Sequence, residues 1–371
     1  MTKNLHSGPR ILMGPGPSNV SSQVLKEMAQ PLIGHMDPQF IEMMDEVKDM
    51  VRHVFLTNNP LTFVIPGTGS AGMECAFVNL IEPGDQVLVC VNGAFGNRMC
   101  EIALRCDAKL KRLDVPWGQP VAPTQVANAL QNFTPKIVAI VHAETSTGVL
   151  QPLEEISRIV HKAGALFLVD AVTSLGGCEL KIDEWGIDIC YSATQKCLSA
   201  PPGLSPISFS PAAESAINTR KSRIQSWYLD VSLIQKYWDG KKRAYHHTAP
   251  ISMIYAIHRA LKIVLEEGLE TRINRHHNNY LSLKTGLEAM GFEYIIAHPY
   301  RLPVLNTIKI PDGLDDDKTR MRLLNEYNIE IGGGLGDFAG KIWRIGIMGE
   351  SCSPDYIKAL LSALKKILSQ G

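Results

Sequence analysis

A chain of 371 residues, 45% of them hydrophobic, has the apolar material for one large folded unit and a smaller one. Its 37 Lys plus Arg balance its 37 Asp plus Glu, so the formal net charge is zero and nothing in it points to nucleic acid or an anionic membrane surface. No apolar run is long enough to span a bilayer, and residues 1–8 and 368–371 carry no targeting signal, so the expectation is a cytoplasmic protein.

Along the chain, apolar runs of strand length occur at 61–65, 86–91, 137–141, 166–169, 187–191 and 206–209. Stretches of helical period lie between many of them, among them 71–80 and 152–163. Continuous apolar strands alternating with helices predict an α/β fold with a mostly parallel sheet covered on both faces. Beyond residue 268 the texture changes to a helical stretch at 270–290, strands near 307–310 and 342–347, and a final helix over 354–368. The expected organisation is an N-terminal arm (1–10), a large domain (11–268) and a small α+β domain (269–371). Strands end in turn chemistry such as Pro66-Gly67, Asn92-Gly93 and Asp170-Ala171. In open parallel sheets ligands gather at the carboxyl ends of the strands.

The chemistry-bearing residues fall at those ends. Pro66-Gly67-Thr68-Gly69-Ser70-Ala71-Gly72 follows a strand and opens a helix. Its backbone N–H groups and the hydroxyls of Thr68 and Ser70 suit an anion. The spacing also satisfies G-x-G-x-x-G, but the next strand ends in Asn92-Gly93 rather than the acid that holds a dinucleotide ribose, which favours a phosphate monoester. Glycines easing a tight turn are the structural alternative. Phe95, after the second strand, can stack on a flat ring or fill the core. Thr145, after His142, can donate to a ring hydroxyl or a phosphate.

Asp170 ends the run 166–170, as a helix cap or as a carboxylate facing a pyridine nitrogen. Lys196 follows the apolar run 187–191 and precedes a proline-rich loop, with no acid adjacent in sequence. Burial lowers a lysine pKa and frees its amine to attack a carbonyl, the requirement for a Schiff base. The eight cysteines form no C-x-x-C pair and read as small buried residues, with Cys197 the one candidate nucleophile. Tyr245-His246-His247-Thr248 invites a metal reading, but adjacent histidines diverge in regular structure and no carboxylate sits at ligand spacing, so no metal is expected. Arg344 alternates with apolar neighbours on a strand and needs a partner, either an internal acid or a substrate carboxylate. The glycines at 332–336 read as a flexible loop.

Phosphate loop, aromatic, strand-end aspartate, lysine and arginine, in this order, describe a pyridoxal-phosphate enzyme. The chain resembles the class V aminotransferases, most of all the alanine–glyoxylate (serine–pyruvate) aminotransferases. Carrying runs include Leu12-Met13-Gly14-Pro15-Gly16-Pro17-Ser18, Glu82-Pro83-Gly84-Asp85, Ser146-Thr147-Gly148-Val149-Leu150-Gln151-Pro152, Gln195-Lys196, Tyr245-His246-His247-Thr248 and Arg344-Ile345-Gly346. The resemblance implies fold-type I and a homodimer with sites at the subunit interface. It implies that Lys196 forms the Schiff base and Asp170 faces the pyridine nitrogen. Thr68, Gly69, Ser70 and Gln195 match phosphate-side positions, and Tyr245 and Thr248 residues lent by the other subunit. Arg344 matches the carboxylate-binding arginine, with Gly16 on the substrate side. Phe95 stands where some relatives have tryptophan, and Thr145 where the family often has serine.

The expected reaction is ping-pong transfer of an amino group from alanine or serine to a 2-oxo acid, glyoxylate or pyruvate. The rivals are another amine donor such as pyridoxamine or an aminophosphonate, a nicotinamide dehydrogenase built on 67–72, and a scaffold protein without catalysis.

Overall fold

A computed structural model of the chain describes residues 8–239 and 243–369. Most of the expected arm (1–7) and the last two residues lie outside the described residues.

The centre is a seven-stranded sheet: β1 Leu61–Pro66, β2 Gln86–Val91, β3 Lys109–Asp114, β4 Ile137–Val141, β5 Leu166–Asp170, β6 Ile189–Tyr191 and β7 Leu204–Phe209. Their spatial order is β1-β7-β6-β5-β4-β2-β3. Pairings from β6 through β3 are parallel, and only β7 runs against its neighbours. The interior strand β4 is buried at every residue, which explains its unbroken Ile-Val-Ala-Ile-Val run. Each fully buried Val, Leu or Ile there stabilises by about 2 kcal/mol.

β3 has no such run. Lys109-Leu110-Lys111-Arg112-Leu113-Asp114 is half-exposed along its length and forms the sheet edge. Charged side chains on an edge discourage strand addition by another molecule, and they also hide the strand from a hydrophobicity reading.

A second core gathers on a three-stranded antiparallel sheet, Leu305–Lys309, Ile342–Gly346 and Gly332–Gly333, against the helices Leu269–Glu288 and Pro354–Leu368. The glycines expected in a flexible loop supply the edge strand of this sheet: Gly332 pairs with Arg344. The N-terminal segment crosses to the same core. Ile11–Leu12 runs parallel to Ile329–Glu330, and Met13 is buried in the second cluster. Among the described residues no helix is long and apolar enough to cross a membrane.

Candidate active site

The strand order brings the ends of β1, β2, β5 and β6 to one side of the sheet. A cavity of about 130 Å³ opens there, lined by Thr68, Gly69, Ser70, Met73, Phe95, Arg98, Asp170, Val172, Gln195 and Lys196. Seven of these are residues expected from sequence; Met73, Arg98 and Val172 are not.

β1 turns at Gly67 into the helix Gly69–Leu80. Thr68 is its N-cap, yet its side chain makes no capping bond, and the first turn holds no acid. The helix end therefore offers free N–H groups to an anion. Gln195 faces the same cavity, and its buried Oε1 has no hydrogen-bond partner.

β2 leads through Asn92 to Gly93, the N-cap of the helix Ala94–Arg105. That helix is capped from another strand. Glu144 Oε2 accepts from the N–H groups of Phe95 (3.1 Å) and Gly96 (3.4 Å), while Ser146 Oγ accepts from Ala94 N–H (2.8 Å). A Cβ on Gly93 would lie 2.5 Å from both Glu144 Cδ and Ser146 Oγ, so only glycine admits this approach. Glu144 is fully buried, and burial raises its pKa against the hydrogen bonds that lower it. It holds half-buried Phe95 at the cavity wall.

Asp170 and Tyr191 are register partners on β5 and β6. Tyr191 donates its hydroxyl to Asp170 Oδ2 at 2.8 Å, and Val172 N–H donates to Oδ1 at 2.8 Å. Asp170 is 2% exposed, and burial pushes its carboxyl up to about 6 despite those bonds. The contact to Val172 is an Asx-type turn; no helix follows Asp170 directly, so the helix cap weighed from sequence is not its role, and the carboxylate lines the cavity.

Lys196 is 9% exposed. Burial brings its amine down to about 8, with Arg344 lowering it further and Asp170 opposing. Its backbone is locked on several sides. Lys196 O accepts from Ser18 Oγ (2.9 Å) and from Ser199 N–H (3.1 Å), Gln195 O accepts from Ser18 N–H (2.8 Å), and Cys197 O accepts from Arg272 Nη2 (2.6 Å). The amine donates to Pro15 O. Gly16 lies against the side chain: with φ +110° and a would-be Cβ 2.8 Å from Lys196 Cδ, no other residue fits. Ser18 and Arg272 are distant in sequence and carry no local signal.

Arg344 enters from the three-stranded sheet. It is 6% exposed and donates to Gly333 O (2.7 Å) and Thr145 O (3.1 Å). Burial lowers its pKa to about 10, opposed by Glu144. No carboxylate among the described residues lies within ion-pair distance of it, so the internal salt bridge weighed from sequence is not what holds it. Thr145 sits in the hairpin between Ala143–Glu144 and Val149–Leu150. The bond it makes to Arg344 is through its backbone carbonyl.

Tyr245 and Thr248 stand apart from the cavity. They bond to each other at 3.3 Å, and Tyr245 is 63% exposed. Contrary to the divergence expected of adjacent histidines, the Nδ1 atoms of His246 and His247 lie 2.8 Å apart, because the run adopts no regular structure. No group of three metal-binding side chains occurs among the described residues. Cys197 is fully buried, and burial raises its thiol to about 12, which removes it as a nucleophile.

A free amine, a strand-end carboxylate and an anion cradle in one cavity suit a phosphorylated carbonyl compound, and comparison with known proteins agrees. Residues 12–337 match the family described as Aminotransferase class-V. The (S)-ureidoglycine–glyoxylate transaminase of Bacillus subtilis is 39% identical, over 97% of this chain and 90% of its own. The alanine–glyoxylate aminotransferase of Rattus norvegicus is 38% identical, over 99% and 90%. The crystal structure of alanine–glyoxylate aminotransferase from Nostoc sp. superposes with a TM-score of 0.97 at 44% identity, covering 99% of this chain and 97% of that one. The nicotinamide and scaffold readings fall with this, and the chain belongs to the class V aminotransferases, fold-type I transaminases that work with pyridoxal phosphate.

Proposed function

We propose that this enzyme moves the amino group of a small amino acid, alanine or serine, to glyoxylate, and that Lys196 and Asp170 in their shared cavity carry the chemistry. Glyoxylate is favoured as acceptor because relatives named for different donors, ureidoglycine and alanine, are both named for it. The cavity fits the cofactor. The helix end at Gly69 is uncapped by side chains and offers N–H donors to a phosphate, Gln195 brings an amide to the same end, and a buried carboxylate and a buried amine face the rest of the cavity.

Thr68, Gly69, Ser70 and Gln195 would hold the phosphate, Phe95 would stack on the ring, and Thr145 would lie beside it. When bound, pyridoxal phosphate supplies a ring that draws electrons from the substrate α-carbon. Asp170 would keep the pyridine nitrogen protonated. Arg344 would grip the donor carboxylate beside Gly16 and aim the α-hydrogen at Lys196. Lys196 Nζ would anchor the cofactor, then take the α-proton as general base and return it as general acid. The oxo acid formed leaves before the acceptor enters.

Exposed Tyr245 and Thr248 would reach the phosphate of a second copy, in a homodimer with shared sites. Eight free, buried cysteines accord with a reducing, cytoplasmic setting.

Arg344→Lys should raise KM for the donor on the order of tenfold, since a point charge replaces a bidentate fork. Steady-state kinetics with L-alanine checks this; an unchanged KM and kcat would remove Arg344 from the site.

Amine attack needs the unprotonated form, and Lys196 has its pKa lowered to about 8. Capture of pyridoxal phosphate by the cofactor-free chain should therefore quicken with pH up to about 8 and level off above it. A rate that climbs on toward about 10.4, the value of an ordinary lysine, would contradict the burial argument.

The substrate reading itself is tested by pairing glyoxylate and pyruvate with L-alanine, L-serine, pyridoxamine and an aminophosphonate. Turnover with the amino acids and glyoxylate is expected. Turnover with pyridoxamine or the aminophosphonate alone would replace it.

A further inference from the structure

The phosphate end of the cavity is built from neutral groups. Thr68 and Ser70 bring hydroxyls, Gln195 an amide and the helix end its N–H groups. A phosphate monoester carries about −1.5 to −2 charges at neutral pH. Of the cations lining the cavity, Lys196 is engaged at the carbonyl end, which leaves Arg98.

Arg98 is placed for that work by two contacts. Its Nη1 donates to Ser70 Oγ at 3.2 Å, which ties it to the cradle. Its guanidinium lies over the Phe95 ring, 5.0 Å from the centroid. Phe95 and Arg98 are three residues apart on the helix Ala94–Arg105 and so share a face. Among the described residues no carboxylate lies within ion-pair distance of Arg98, so its charge is not spent inside the chain.

We propose that Arg98 is the counter-charge of the cofactor phosphate and makes the enzyme select pyridoxal 5′-phosphate over unphosphorylated pyridoxal. The stack on Phe95 limits the rotamers of the guanidinium, and with Nη1 on Ser70 its remaining N–H groups can turn to phosphate oxygens. The proposal rests on the reading of Thr68, Gly69, Ser70 and Gln195 as the phosphate end.

The test is equilibrium binding of pyridoxal 5′-phosphate and of pyridoxal to the full-length cofactor-free protein, for wild type, Arg98→Gln and Arg98→Lys. Arg98→Gln should weaken phosphate-ester binding about tenfold at low salt and less at high salt. Pyridoxal binding should change less than about twofold, since it lacks the charge. Arg98→Lys should fall between, keeping charge without the fork. Equal weakening toward both compounds would show that Arg98 acts by packing on Phe95, and no weakening toward either that its charge is unused; each overturns the proposal. A wild-type protein that binds pyridoxal as tightly as its phosphate would overturn the phosphate cradle itself, and Arg98 with it.

Discussion

Lys196→Ala is expected to cut transamination by at least about 10⁴-fold, the combined loss of the anchoring amine and of the proton carrier. The fold should survive. The segment around Lys196 is held by its backbone, through Ser18, Ser199 and Arg272, and none of those bonds uses the side chain. Alanine also relieves rather than creates crowding at Gly16, which lies against the lysine stem. Circular dichroism and melting temperature should stay near wild type while activity disappears. The variant should also lose the visible band of a lysine-linked cofactor. A variant that transaminates at the wild-type rate would remove Lys196 from the chemistry.

Asp170→Asn should cost on the order of 10³-fold in kcat/KM, comparable to the loss of a group that stabilises developing charge. The substitution keeps the shape and removes the charge. Val172 N–H retains an acceptor, whereas Tyr191, whose hydroxyl donates to Asp170 Oδ2, has to reorient. About 1–3 kcal/mol of stability goes if that hydroxyl is left unsatisfied. One measurement separates the roles. A cofactor analogue with a permanently charged N-methylpyridinium should recover part of the activity if Asp170 acts on the ring nitrogen. It should recover nothing if Asp170 serves only the fold. Wild-type kinetics in Asp170→Asn would sink the assignment.

The reasons why some of this was legible in the sequence, and some not, are physical. β2, β4 and β5 lie inside the sheet and are apolar between their ends, so their runs mark them within a residue. β3 at the edge is charged and leaves no such mark. Asp170 and Lys196 were readable because a polar residue that closes a buried strand, or follows one by a short loop, stands out, and adjacent parallel strands bring such ends together. Arg98 was overlooked although the signal existed: it lies one helical turn beyond Phe95, the spacing that puts two side chains on one face. Arg272, Ser18 and Glu144 act across long sequence separations. The long-range bonds by which they hold the site go to carbonyls or N–H groups that any residue supplies, so no pattern announces them. For Thr145 the hairpin position was readable, while its bond to Arg344 through the main chain was not.

The visible spectrum of the purified enzyme, reconstituted with pyridoxal phosphate and titrated with L-alanine in the absence of any oxo acid, tests the central claim most directly. The account predicts a lysine-linked band that fades as a pyridoxamine band grows, with one equivalent of pyruvate released per site, and its return on adding glyoxylate. No band after reconstitution, or a band that L-alanine and L-serine both leave unchanged, would contradict it.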